Sequence, residues 1–172
     1  MAAGEGCSKA EKRVMVGIDE SESSSYALKW VLDNLKQSIT TSSLILLMAQ
    51  PRPNHSNTVA PALLSSARMY CSAASTPELV TSIQERNHMV SVGILEKAKE
   101  MCAIHQINAE TVTIIGDPKE AICDAVQRFH INLLVLGDHE SPKIKRALLG
   151  SVSNYCLLNA KCPVLVVKKP AE

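Results

Sequence analysis

The chain has 172 residues, a formal net charge of +1, and 46% apolar against 20% charged residues. That length fits one domain with one well-buried core, and the balance excludes a disordered chain. The near-zero charge leaves no electrostatic footprint for nucleic acid or an anionic membrane, and the longest uncharged apolar stretch, Leu44 to Ala49, is far short of the ~20 residues of a membrane span.

Residues 1–12 read as a tail of small and charged residues ahead of a domain over 13–169. Arg13 to Ile18 reads as a first strand that stops at Asp19, and Ser21 to Ser25 supplies helix-starting residues. Ala27, Leu28, Val31, Leu32 and Leu35 then recur at helical spacing. Leu44 to Ala49 is a short continuous apolar run, as in a strand buried on both faces. Gln50 to Pro77, with Pro51, Pro53, Pro61 and Pro77, reads as a long irregular connection. A long helix follows, with Val90, Ile94, Ala98 and Met101 on one face.

Ala109 to Ile115 makes a third strand ending at Gly116-Asp117-Pro118, where Pro118 suits a helix's first turn. Ala121, Ile122, Ala125, Val126 and Phe129 stripe that helix. Leu133 to Leu136 is a fourth strand ending at Gly137. Ala147 to Asn159 is a last helix with Leu148, Val152, Tyr155 and Cys156 inward, and Pro163 to Val167 is a fifth strand. The alternation predicts an α/β fold: a five-stranded parallel sheet, doubly wound, Rossmann-like, with helices on both faces.

The six cysteines show no CxxC and no zinc-ligand spacing, and no signal-peptide core follows Met1. Free thiols in a reducing compartment, cytoplasmic or nuclear, are the expectation. The five histidines show no metal spacing either.

In open α/β sheets ligands bind outside the strand carboxyl ends, where the strand order reverses. The first strand delivers Asp19 there, as a helix cap or as a crevice carboxylate. The fourth delivers Gly137, then a loop from Asp138 to Arg146, then Gly150-Ser151-Val152-Ser153 near a helix start. A glycine permits close backbone approach and helix N-terminal amides bind phosphate. No nucleophile and base stand at a recognisable spacing, and there is no Gly-Lys-Ser phosphate loop, so an enzyme is not expected.

Val16-Gly17-Ile18-Asp19, Ala27-Leu28-Lys29-Trp30, Gly116-Asp117-Pro118, the stretch from Ile144 to Cys156 and Lys161-Cys162-Pro163-Val164 resemble universal stress proteins, the plant branch in particular. The resemblance implies an adenine nucleotide alpha hydrolase-like fold and a stress-response regulator binding ATP or AMP, with Mg²⁺ accompanying ATP. It implies adenine and ribose near Ile18, Asp19 and Ala49, and phosphates against Gly137, Gly150, Ser151, Val152 and Ser153. It also implies a homodimer through the last strand, Pro163 to Val167. The family's nucleotide binders carry G-x-x-G, nine residues, then G-S or G-T. Here the run is Gly137-Asp138-His139-Glu140, nine residues, then Gly150-Ser151. Glu140 replaces a glycine and sets a negative charge toward a polyanion, Asp138 adds to it, and Lys143, Lys145 and Arg146 oppose it. A dimeric scaffold or holdase-like protein that binds no nucleotide is therefore the alternative reading.

Overall fold

The computed structural model describes residues 12–40, 42–50, 77–138 and 150–170. Five parallel strands are laid out in the order β3-β2-β1-β4-β5. They are β1 (Arg13–Gly17), β2 (Ser43–Gln50), β3 (Ala109–Ile115), β4 (Leu133–Gly137) and β5 (Val164–Val167). The order reverses between β1 and β4, whose register pairs Met15 with Leu134 and Val16 with Val135. That is the switch point at which an open α/β sheet offers a crevice.

Alternation along the strands sorts the core into two layers. Val14, Val16, Leu44, Leu46, Met48 and Val135 face α1 (Glu22–Asn34) and α3 (Pro77–Ile104), meeting Ala27, Leu28, Val31, Leu32, Leu95, Ala98 and Cys102. Met15, Ile45, Leu47, Leu134 and Leu136 face α4 (Pro118–Arg128) and α5 (Ser151–Asn159), meeting Ile122, Ala125, Val126 and Cys156. The sheet is therefore doubly wound, and the central strands are apolar at successive positions because both of their faces are covered.

The predicted elements match, with informative differences at their ends. A short helix α2 (Lys36–Thr40), buried through Ile39, joins α1 to β2 where sequence periodicity was too brief to show it. The last helix starts at Ser151 rather than running through Gly150, which is its N-cap with an extended ψ of 151°. Glycine is costly inside a helix and acceptable at its boundary. The last strand begins at Val164, not Pro163, whose carbonyl accepts from Leu134 N at 3.0 Å while its own nitrogen has no hydrogen to give. Val90, assigned to the inner face of α3, is exposed, whereas Ala98 is buried. Tail residues 1–11 and positions 51–76 lie outside the described residues.

Candidate functional site

The carboxyl end of β1 is a closed polar knot. Ser21 caps α1 by accepting from Ser24 N at 3.1 Å. Asp19 Oδ1 accepts from Ser21 N at 2.8 Å and from Ser21 Oγ at 2.5 Å. The buried Ser24 hydroxyl accepts from Asp19 N at 3.2 Å, and its Oγ lies 3.0 Å from the carbonyl oxygens of both Asp19 and Ser21, which share its single proton. Asp19 thus does not cap the helix; it braces the residue that does. Its carboxylate is exposed and keeps Oδ2 for other use. The serine run announced a helix start, but it did not reveal the part played by Ser24.

Gly137 brings the β4 side against that knot. A Cβ there would stand 2.5 Å from the carbonyl carbon and oxygen of Ser23 and 2.8 Å from Ser24 N. The first turn of α1 therefore rests directly on the end of β4, and only glycine admits it. The bareness of Gly137 serves helix packing, a use beyond close approach to a ligand.

Past Gly137, Asp138 continues the sheet by donating its amide to Val167 O at 2.9 Å. Its side chain is only 7% exposed, and Oδ1 has no hydrogen-bond partner. An unsatisfied buried acceptor is costly and marks a place to look for a donor. The buried Ser153, in the first turn of α5, donates to Gly137 O at 3.2 Å and ties that turn to the end of β4. Its proton is thus engaged within the protein, whereas Ser151 is exposed and Val152 half-buried. Gly150 provides no side-chain cap, so the first amides of α5 stand without intrahelical acceptors.

The site residues expected from the sequence therefore divide. Asp19, Gly137, Gly150, Ser151, Val152 and Ser153 belong to the β1, β4 and α5 ends. Ile18 is buried on the α1/α3 face, whereas Ala49, at the end of β2, packs on the opposite face. A groove of about 200 Å³ opens beside β1, walled by Ile18, Leu28, Ile94 and Ala98 and edged by Asp19, Glu20, Ser25 and Lys97. Sequence spacing gave no sign that Lys97 of α3 stands there. Gln50 fixes α3 in place: its Nε2 donates to Ser91 Oγ at 2.5 Å and to Asn87 O at 3.4 Å. Across the outer side, Lys169 Nζ bonds Glu22 Oε2 at 2.9 Å and holds that exposed carboxyl below its ordinary range. Glu140, His139, Lys143, Lys145 and Arg146 lie outside the described residues.

Among the described residues no group of three or more His, Cys, Asp or Glu is placed to hold a metal ion. Nor is any helix among them long and apolar enough to cross a membrane.

Comparison with known proteins bears on this arrangement. The profile of the Universal stress protein family matches residues 11–168. A Universal stress protein A-like protein of Arabidopsis thaliana is 26% identical over 169 residues, covering 93% of this chain and 91% of that one. The solved structure of the hypothetical protein MJ0577 superposes with a TM-score of 0.72 at 20% identity, over 94% of this chain and 98% of that one. A universal stress protein family protein from Arabidopsis thaliana, solved with AMP bound, superposes with a TM-score of 0.64 at 24% identity, over 93% of each chain.

Proposed function

The chain belongs to the universal stress protein family, and from that premise we propose that it is a stress-response regulator, not an enzyme, with an adenine-nucleotide crevice at the β1–β4 switch point. The observation that carries this reading is the joining of three ends. Gly137 accepts the first turn of α1, and Ser153 ties the uncapped start of α5 to the same glycine. In this reading Asp19 and the first residues of α5, Ser151, Val152 and Ser153, would flank one crevice, a carboxylate for nucleoside donors and a helix N-terminus for phosphate. The AMP-bound relative of the same fold supports the choice of ligand.

AMP or ATP is the proposed ligand, with adenine and ribose toward Ile18, Asp19 and Ala49 and phosphate toward Gly137, Gly150 and Ser151. In this reading Mg²⁺ accompanies the triphosphate. Asp138 and Glu140 work against added phosphates, which favours the monophosphate. The domain is taken as residues 13–169, in a reducing cytoplasmic or nuclear setting.

Pairing of two copies through β5 is part of this reading. β5 is an edge strand bonded only to β4 among the described strands, with Val164, Leu165 and Val166 half-buried. Leu157 and Leu158 of the preceding helix are 42% and 78% exposed. Such an edge invites a partner strand.

The scaffold alternative rests on a different observation: Asp138 leaves a buried, unpartnered acceptor oxygen at the end of β4, where this reading would put phosphate. Calorimetric titration with AMP, ADP and ATP, with and without Mg²⁺, separates the two. Micromolar binding in the order AMP, ADP, ATP supports the nucleotide reading, and Glu140→Gly should strengthen ATP most. Silence from both proteins would leave the scaffold.

A further inference from the structure

We infer that Cys123 and Cys156 are an oxidisable dithiol which a hydroperoxide converts into a disulfide bridging α4 and α5, with Cys162 the thiol the oxidant meets first. Three of the four described cysteines converge on the α4/α5 face of the sheet. Cys123 of α4 and Cys156 of α5 are both buried, with their sulfurs 4.0 Å apart. Cys162, in the turn before β5, packs against the same apolar cluster but is only partly buried. The fourth, Cys102, is buried on the opposite face.

Closing the Cys123–Cys156 gap to a sulfur–sulfur bond of ~2.05 Å asks for about 2 Å of approach, within reach of a change in side-chain torsion at both residues. Burial pushes all three thiols up, Cys156 to about 12, so each is protonated at neutral pH and reacts slowly unless an oxidant can reach it. That makes the partly exposed Cys162 the point of contact, and the buried pair the place where the oxidation comes to rest.

The chemistry balances in three steps. Cys162 gives up its proton as its sulfur attacks the peroxide oxygen; the O–O bond breaks, sulfur gains OH as a sulfenic acid, and the other oxygen leaves with that proton as an alcohol or water. The Cys156 sulfur then attacks the sulfenic sulfur, the S–O bond breaks, and water departs with the second proton. Finally Cys123 attacks the Cys156 sulfur of that mixed disulfide, forming Cys123–Cys156 and returning Cys162 as a thiol. Overall two thiols are oxidised and one peroxide is reduced.

The bridge would anchor α5 five residues beyond its start at Ser151. Its consequence for the crevice rests on the nucleotide reading; the bridge itself does not. The test therefore omits nucleotide. The folded full chain is treated with hydrogen peroxide, alkylated and mapped by peptide mass. A Cys123–Cys156 cross-linked peptide is expected, together with a raised thermal midpoint that dithiothreitol reverses. In Cys162→Ser the cross-link should form at least about tenfold more slowly. Recovery of Cys123 and Cys156 as alkylated thiols from native protein, when the same treatment has oxidised Cys162, would overturn the bridge. An unchanged rate in Cys162→Ser would overturn the assigned route.

Discussion

At the end of β1, Asp19, Ser21 and Ser24 satisfy one another and the start of α1. At the end of β4, Asp138 Oδ1 is buried without a partner and the cap of α5 makes no side-chain bond. The two sides are joined at Gly137, where helix α1 and the Ser153 hydroxyl meet one residue. The difference separates scaffolding from capacity. One side is bonded within itself, and the other carries a buried acceptor without a partner and a helix start without a side-chain cap.

The sharpest way to break this arrangement is at the joint. Gly137→Ala places a Cβ against the backbone of Ser23 and Ser24, which cannot swing aside as a side-chain tip does. A loss of about 1–3 kcal/mol is expected in denaturant unfolding, together with loss of AMP binding. The closed side comes next. Ser24→Ala strips the partner from Asp19 N and should cost about 1–2 kcal/mol by the same measurement.

The open side answers differently. Asp138→Asn removes a charge without removing a shape. It should leave adenosine affinity alone while strengthening ATP binding about fivefold in calorimetry, as expected for ~1 kcal/mol of like-charge repulsion.

The smallest effect lies at the rim. Lys169 depresses the carboxyl of Glu22 below its ordinary 4.5, so their pairing is present above that pH and is lost as pH falls through the depressed value. Because Glu22 is fully exposed, Glu22→Gln should lower the thermal midpoint only slightly above that pH, and the difference should vanish as pH falls through the depressed value.

The sequence carried the strand–helix alternation plainly. The runs at Leu44 to Ala49 and Leu133 to Leu136 read as buried strands and are β2 and β4, and Pro118 marked a helix start that Asp117 caps through Lys119 N at 2.9 Å. The positions of Asp19, Gly137 and Gly150-Ser151 at the ends of β1, β4 and α5 were also legible, because the apolar runs stop there.

What stayed hidden depends on contacts distant in sequence. Gly137 meets Ser23 across more than a hundred residues, Lys97 of α3 edges a groove with Asp19 and Glu20 far back in the chain, and Gln50 finds Ser91 41 positions away. No local period encodes such meetings. Ala49 shows the same limit, since its place beside Ile18 on the strand ends says nothing about the opposite faces the two side chains occupy.

The central claim, a closed β1 side and a ligand-ready β4/α5 side of one nucleotide crevice, is tested most directly by hydrogen–deuterium exchange with and without saturating AMP. Slower exchange is predicted at the amides of Ser151, Val152 and Ser153, with little change at Ser21 and Ser24, whose amides are already bonded. Unchanged exchange at the start of α5 while AMP is bound would contradict it.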